Sequence, residues 1–272
     1  MAVERSDDMP ELDSVLLERA ARLRRPAEPR VSVVIPALNE AENLYYVLPR
    51  IPVDVDEVIL VDGHSTDDTV QIARKLLPDI RVVPQGGSGK GSALRTGFEA
   101  ATGDVIVMLD ADGSTDPGEI HLFVGGLRAG ADFVKGSRFA VGGGTADMPL
   151  HRQLGNKAFV LLTRILFGAR YTDLCYGYNA FWRDVVPLLD LDATGFEVET
   201  MMNIRAHRVG LRIAEVPSFE HARFHGEGRL RTFVDGWRVL KTIFAERRRS
   251  HRAPAPVAAD PGAVVVRLAD DG

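Results

Sequence analysis

The clearest pattern in the chain is a series of short apolar runs, each of which ends abruptly in polar residues. The longest covers residues 105–109 and is followed by Asp110 and Asp112. A continuous apolar run of this length is typical of a strand that is buried on both faces of a parallel sheet. Similar runs occupy residues 31–35 and 57–61. The pattern therefore predicts buried parallel strands that carry polar residues at their carboxyl ends.

Segments with helical spacing lie between these runs. The sequence predicts helices at residues 40–49, 67–77, 90–101, 156–167, 196–209 and 232–249, and further strands at 81–83, 132–135 and 212–216. Ser65 or Thr66 is the expected N-cap of the second helix. Strands that alternate with helices in this way predict an α/β fold with a mostly parallel central sheet flanked by helices.

The two ends of the chain differ in composition from its body. Residues 1–29 are rich in charge and finish in two prolines, so we expect a flexible or partly helical extension. Residues 251–272 are rich in Ala, Pro and Asp, which predicts a disordered tail. The predicted domain is therefore the body at residues 30–250.

Composition narrows the class of protein. The chain has 272 residues and a formal net charge of −5, which argues against a nucleic-acid binder. Its single cysteine, Cys175, excludes an internal disulfide and fits a reducing compartment. No signal-peptide pattern and no run of roughly 18 apolar residues is present. We expect a cytoplasmic protein whose membrane contact, at the inner face, is peripheral.

The strand ends carry the candidate chemistry. Ligands of open α/β sheets bind at the carboxyl ends of the strands, where residues 36–40, 62–65 and 110–112 are expected to meet. The Asp110 and Asp112 carboxylates are hard oxygen ligands that suit Mg²⁺ or Mn²⁺ shared with substrate phosphates. The alternative is structural: Asp112 or Ser114 could cap the helix expected near Pro117.

A glycine-rich turn at residues 86–91 precedes the third predicted helix and contains Lys90. Backbone amides at a helix N-terminus, together with a lysine, favour anion binding. The glycine spacing fits neither the P-loop nor the dinucleotide-binding fingerprint. A plain tight turn is the alternative.

In their order along the chain, these motifs resemble the family 2 glycosyltransferases with a GT-A fold, and most of all the polyprenyl- and dolichyl-phosphate sugar synthases. The resemblance covers residues 31–243 and rests on residues 31–40, Asp62 with residues 65–69, Gly89-Lys90-Gly91 with Gly97, and Asp110-Ala111-Asp112. It implies an inverting transfer of a sugar from a GDP- or UDP-sugar to polyprenyl phosphate at the cytoplasmic membrane face.

The resemblance also implies roles for individual residues. The implied donor-binding residues are Pro36, Ala37, Asn39, Glu40, Asp62, Gly63, Lys90, Asp110 and Ala111. The implied ligands of Mg²⁺ or Mn²⁺ are Asp110 and Asp112, with Ser114 as a further one. The implied acceptor-phosphate residues are Arg138, Arg152, Arg223 and Arg229, and the catalytic set is Asp112, Asp173, Arg138 and Arg152.

Some positions depart from the family pattern. Asp62-Gly63 stands where the subgroup has paired aspartates, and Gly228-Arg229 stands where it has Ser-Lys. Residues 175–179 are more aromatic than the pattern, which leaves the acceptor open.

The acceptor decides whether a base is needed. A lipid phosphate is already an anion, whereas a hydroxyl of a soluble acceptor such as a natural product requires a general base, for which Asp173, Glu197 and Glu199 are the candidates. A nucleotidyltransferase and a non-catalytic nucleotide-sugar-binding module are further alternatives. The nucleotide base, the sugar and the oligomeric state stay open.

Two helices are candidates for membrane contact. Residues 159–167 are unusually apolar, and the closing helix carries Phe233, Trp237 and Phe244 among several cations. Interfacial helices combine an apolar face with cations in this way. In the alternative interpretation, both helices pack on the sheet and expose only a basic edge.

Overall fold

The computed structural model describes residues 25–146, 148–226, 228 and 231–249. Residues 26–249 form one compact unit. The expected helix near the N-terminus, the expected disordered tail and Arg229 lie outside the described residues.

A seven-stranded sheet forms the centre of this unit. Its strands in chain order are β1 (Val31–Ala37), β2 (Glu57–Asp62), β3 (Arg81–Pro84), β4 (Val105–Met108), β5 (Phe133–Ser137), β7 (Asn179–Trp182) and β8 (Ile213–Pro217). Two short strands, β6 (Gly144–Thr145) and β9 (Phe219–Glu220), pair separately. The spatial order of the large sheet is β3-β2-β1-β4-β7-β5-β8.

The first half of the sheet follows the sequence pattern. β1 lies between β2 and β4, and all three are parallel. The apolar side chains of β4 are buried, as the continuous run predicted. The predicted α/β architecture with a mostly parallel sheet is confirmed.

The second half contains a strand that the sequence pattern did not predict. β7 is inserted between β4 and β5 and runs antiparallel to both. Its four residues are all buried. Four residues are too short for periodicity to separate a strand from another buried segment.

The helices pack against the sheet and against one another. They are α1 (Ala41–Val47), α2 (Thr69–Leu76), α3 (Lys90–Ala100), α4 (Ile120–Arg128), α5 (Leu150–Phe167), α6 (Val186–Leu189), α7 (Val198–Arg208) and α8 (Thr232–Arg248). Three 3₁₀ turns cover Leu48–Arg50, Pro117–Glu119 and Arg183–Val185. The sequence analysis expected a helix near Pro117, which is α4, without giving its bounds; it missed α6 and placed the start of α5 six residues too late.

The predicted cap of α2 is wrong, and the capping alternative for Asp112 and Ser114 is not observed. α2 begins at Thr69 after Asp68, so neither Ser65 nor Thr66 is its N-cap. The 3₁₀ turn that begins at Pro117 is capped by Asp116, whose Oδ1 accepts a hydrogen bond of 2.9 Å from the Gly118 amide. Capping therefore does not account for the carboxylate of Asp112.

Close packing of α3 on the sheet depends on Gly97. A Cβ at this position would overlap Val34 of β1 and lie 2.9 Å from Cγ2 of Val61 in β2. Both valines are fully buried, so neither has room to move aside.

We expect Gly97→Ala to lower the free energy of unfolding by about 1–2 kcal/mol, because overpacking outweighs the gain in helix propensity. Urea unfolding followed by circular dichroism measures the change. Gly125→Ala is the matched control: Gly125 is an exposed residue of α4 with nothing within 4 Å of its added Cβ. The control should gain about 0.5–1 kcal/mol. Equal effects of the two variants would contradict the packing argument.

Candidate active site

The loop that follows β1 and the loop that follows β2 are hydrogen-bonded to each other. The Asn39 Oδ1 accepts a hydrogen bond of 2.7 Å from the Thr66 amide, and the Ser65 Oγ accepts one of 2.9 Å from the Asn39 amide. Asn39 and His64 both have positive φ, of 52° and 65°. This left-handed backbone conformation is uncommon for residues other than glycine, and residues that adopt it cluster at functional sites.

Gly63 occupies a crowded position in the second loop. Its amide donates a 2.8 Å hydrogen bond to the Ala37 carbonyl. A Cβ would lie 3.1 Å from Oε1 of Gln85 and 3.2 Å from the Ala37 oxygen. A side chain here would require the Gln85 amide and the Ala37 carbonyl to shift by a few tenths of an ångström, which is consistent with the glycine at this position.

Glu40 is buried in the loop after β1. Its carboxylate pairs with Arg223 and accepts a hydrogen bond of 2.6 Å from Nδ2 of Asn43. Burial raises the pKa of Glu40 against the opposing effects of Asn43 and Arg223, and the nearby charge of Asp112 raises it further. Glu40, Arg223 and Asp112 therefore share one electrostatic environment.

The glycine-rich turn is packed against the loop before α7. A Cβ on Gly89 would overlap the Thr194 carbonyl, and one on Gly91 would overlap that of Ala193. The Gly91 amide donates a hydrogen bond of 2.9 Å to the Thr194 oxygen. The turn is therefore held at a fixed place at the start of α3, where Lys90 projects into the site.

Lys90 lies between two carboxylates. Its Nζ is 2.6 Å from Oδ1 of Asp110 and 2.8 Å from Oε1 of Glu199. Burial opposes the charge of Lys90, but the two carboxylates outweigh it and raise its pKa. Lys90 is therefore a permanent cation at this edge of the sheet.

Asp112 lies in the turn that follows β4. Its Oδ1 accepts a hydrogen bond of 3.0 Å from the Ser114 amide, and both Asp110 and Asp112 are half-buried. Ala111 between them is buried, as is Ala37, while Pro36 is half-buried. The carboxylates of Asp110 and Asp112 thus follow a buried strand and reach the surface.

The donor set fits a metal that shares its ligands with a substrate. Within the described residues, no three His, Cys, Asp or Glu side chains converge closely enough to hold a metal by themselves. Two hard carboxylates without further protein ligands suit Mg²⁺ or Mn²⁺, which are commonly completed by phosphate oxygens and water.

Residues 221–226 form a strap across the site. The His221 amide donates a hydrogen bond of 2.8 Å to the Ser114 carbonyl, which ties the strap to the turn after Asp112. The Phe224 ring stacks on Tyr46 with 4.2 Å between centroids, and it lies 2.5 Å from a Cβ built on Gly113. The strap brings Arg223 to Glu40, which sequence spacing could not predict.

Arg138 and Asp173 form a buried ion pair. Their atoms Nε and Oδ2 lie 2.7 Å apart, Nη2 and Oδ1 lie 3.0 Å apart, and Nη1 of Arg138 is 3.0 Å from Oε1 of Glu220. Burial opposes the charge of Asp173, but Arg138 outweighs it and lowers its pKa. The geometry fits a structural pair, and the catalytic roles of Arg138 and Asp173 stay predictions.

Arg152 has a different environment. It lies in the first turn of α5, is half-exposed and has no ion-pair partner among the described residues. Its guanidinium is therefore available to an external anion in a way that the guanidinium of Arg138 is not.

The sequence analysis missed several residues that hold the site together. Asn43 bonds both Glu40 and the strap, Gln85 bonds the Gly89 carbonyl, and Lys135 is a fully buried lysine that donates to the Tyr176 carbonyl at 3.0 Å. Burial lowers the pKa of Lys135. Only Lys135 left a signal, as a charged residue in an apolar strand.

The sequence matches a family of glycosyltransferases and several curated members of that kind. A family model described as Glycosyl transferase family 2 matches residues 32–187. The undecaprenyl-phosphate mannosyltransferase of Micrococcus luteus is 34% identical over 225 residues, which cover 78% of this chain and 91% of that protein. The low-salt glycan biosynthesis hexosyltransferase Agl6 of Haloferax volcanii is 32% identical over 220 residues, and the match covers 78% of this chain and 52% of that protein.

A solved structure shares the fold. It is glucosyl-3-phosphoglycerate synthase from Mycobacterium tuberculosis in complex with Mn²⁺, uridine diphosphate and glucosyl-3-phosphoglycerate. The TM-score is 0.62 at 27% sequence identity, and the match covers 86% of this chain and 84% of that chain.

We expect Asp173→Asn to destabilise the protein by about 3 kcal/mol, because it removes the charge of one of the two carboxylates that pair with the buried guanidinium of Arg138. Urea unfolding measures the loss. Glu197→Gln is the matched control, since the Glu197 side chain accepts one backbone hydrogen bond, from Gly195, and should cost about 1 kcal/mol or less. If Asp173→Asn kept full stability while losing catalysis, Asp173 would be a base and not a structural partner.

Proposed function

The chain belongs to glycosyl transferase family 2 and has its GT-A fold, and from this premise we propose that it transfers a sugar from a nucleotide-sugar to polyprenyl phosphate. The observation that carries the proposal is the meeting of three strand ends. The Asp110 and Asp112 carboxylates follow buried β4, Lys90 contacts Asp110, and the loops of Asn39 and Asp62 lie on the two neighbouring strands of the same edge.

The donor would lie across this edge. In our proposal the nucleoside of a GDP- or UDP-sugar is held by the loops that contain Pro36, Ala37, Asn39, Asp62 and Gly63. Hydrogen bonds between the two loops pre-shape them, so little ordering is left to occur on binding.

Charge on the leaving nucleoside diphosphate would be balanced at the other end of the edge. The ammonium of Lys90 lies within the site and can pair with a phosphate oxygen. We assign Asp110 and Asp112, with Ser114, to a Mg²⁺ or Mn²⁺ ion, which would supply electrostatic stabilisation of the departing diphosphate. Support comes from the donor set and from the Mn²⁺ in the similar synthase structure.

The state of the three candidate bases favours a phosphate acceptor. Asp173 is paired with Arg138, and Glu199 is paired with Lys90, so two of the three carboxylates are neutralised by a cation. A polyprenyl phosphate is an anion at neutral pH and needs positioning rather than deprotonation. Arg152, Arg223 and Arg229 are the proposed guides for that phosphate.

A soluble acceptor is the second candidate function. The similar solved structure is a synthase of glucosyl-3-phosphoglycerate, whose name indicates a small phosphorylated acid as acceptor. Such an acceptor would require a free base, and Glu197 is the remaining candidate. The nucleotidyltransferase and non-catalytic alternatives find no support in the family to which the chain belongs.

Two adjacent helices offer a surface for the lipid. α5 exposes Leu150, Leu154, Leu161 and Ile165 along one face, and α8 exposes Phe233, Trp237 and Phe244. Their opposite faces join one apolar cluster, so each helix is both packed and exposed. Lys157, Arg164 and Lys241 are exposed on the same helices. An apolar face with cations beside it suits the interface of an anionic bilayer.

Contact with a membrane would be peripheral in this proposal. None of the helices in the described part of the chain is long and apolar enough to cross a bilayer. We propose that α5 and α8 rest at the inner face of the cell membrane, where the acceptor's phosphate is within reach of Arg152.

The proposed function predicts transfer of label into lipid. With labelled UDP- and GDP-sugars, and with polyprenyl phosphate and phosphoglyceric acid both offered as acceptors, we expect one donor to deliver its sugar to the organic phase. Asp112→Asn should reduce the rate at least about a hundredfold, because charge on the leaving group loses its stabilisation. Asp116→Asn, which preserves a helix cap on the same loop, should leave transfer unchanged. Label found only in a soluble phosphorylated acid would support the second function, and no transfer from any donor would overturn both.

The exposed helices predict binding to lipid. We expect co-sedimentation with vesicles of phosphatidylglycerol and phosphatidylcholine, and at least a roughly tenfold weaker partition for Phe233→Ser combined with Trp237→Ser. The control combines Val53→Ser with Leu122→Ser, which removes two exposed apolar side chains outside α5 and α8. An equal loss in both pairs would argue against a dedicated membrane surface.

A further inference from the structure

A three-charge cluster lies at the inner end of the site: Lys90, Asp110 and Glu199. Lys90 bridges the two carboxylates at 2.6 and 2.8 Å. The side chains of Lys90 and Glu199 are only 12% and 3% exposed, whereas that of Asp110 is 26% exposed. Charges with so little water around them require a partner of opposite sign at all times.

The carboxylate of Asp110 is enclosed on two sides. Oδ1 is occupied by the ammonium of Lys90, and a Cβ on Gly177 would lie 2.9 Å from Oδ2. The same Cβ would lie 2.9 Å from the Lys90 nitrogen, so the loop that contains Gly177 closes over the pair. A divalent cation that bound Asp110 would repel the ammonium of Lys90 at this separation and weaken its contact with the carboxylate.

Glu199 is a second carboxylate partner for the ammonium of Lys90. It lies near the start of α7, which is buried along most of its length, and its carboxylate is fixed beside Lys90 rather than facing solvent. Burial raises the pKa of Glu199 against the opposing effect of Lys90. A carboxylate this enclosed, with a cation at 2.8 Å, is badly placed to act as a base.

We propose that Lys90 and a divalent cation exchange on Asp110, with Glu199 retaining the ammonium when it leaves and the donor's diphosphate becoming its second partner. The inference rests on the proposed function, because it takes the diphosphate and the cation from there. It makes Glu199 a positioning residue that acts through Lys90, and it couples binding of the cation to binding of the nucleotide.

Binding of Mn²⁺ without nucleotide tests the exchange, with the free ion followed by electron paramagnetic resonance. Lys90→Met should raise the affinity for Mn²⁺ about fivefold or more, because the competing cation is gone. Glu199→Gln should lower it by a similar factor, since Lys90 then has Asp110 as its one carboxylate partner. In the Lys90→Met background the effect of Glu199→Gln should fall within about twofold, because the two substitutions act through one interaction.

One further variant is a control for the lost charge, and another replaces the single variants if they do not fold. Arg95→Met removes a positive charge from the same helix but from a side chain that bonds the Ala193 carbonyl, and it should leave Mn²⁺ affinity unchanged. If either single variant fails to fold, Lys90→Met combined with Glu199→Gln removes the buried charges together and should still bind Mn²⁺ more tightly than the natural protein.

The outcomes separate the exchange from the proposed function. An unchanged Mn²⁺ affinity in Lys90→Met, or an undiminished effect of Glu199→Gln in that background, overturns the exchange and leaves sugar transfer standing. Absence of Mn²⁺ binding to the natural protein with both UDP and GDP overturns the exchange and the metal assignment together. Mn²⁺ binding that follows the expected pattern without any sugar transfer supports the exchange and overturns the proposed substrate.

Discussion

Burial of β4 is the constraint on which the site depends. Because the strand has neighbours on both sides and both of its faces are covered, its residues must be apolar up to the point where the chain leaves the sheet. The first polar residues, Asp110 and Asp112, therefore stand at the edge, where a half-buried carboxylate is stabilised by a neighbouring cation. Lys90 supplies that cation to Asp110 from the neighbouring helix and pairs with Glu199 as well.

The same rule produces a different result on the other side of β7. Asp173 also requires a cation, and Arg138 supplies it, but this pair is fully enclosed and its guanidinium is satisfied by Asp173 and Glu220 together. The side chain of Asp110 is 26% exposed and pairs with one cation, whereas that of Asp173 is fully buried. Exposure, rather than residue type, therefore distinguishes a carboxylate available for chemistry from one that braces the fold.

The sequence could predict the first half of the fold because continuous apolar runs and strand ends are local signals. It identified β1, β2 and β4, and it identified the edge where Asn39, Asp62 and Asp110 meet. It could not predict β7, whose antiparallel pairing is set by its neighbours in space. Nor could it predict that Arg223 reaches Glu40 or that Glu199 reaches Lys90, since contacts across about a hundred residues or more have no local pattern.

α7 contacts both Lys90 in the site and helix α8. Near its start, Glu199 contacts Lys90 at the donor edge; further along, Ile204 packs with Val239 and Ile243 of α8, and Arg205 pairs with Glu246 at 2.7 Å. One buried helix thus supports both the cation of the site and the helix that exposes apolar side chains. Because cores are close-packed, the distance between these two surfaces is fixed by α7. In the proposed function, a lipid tail held at α8 would therefore lie at a set distance from the edge that carries Lys90 and Asp110.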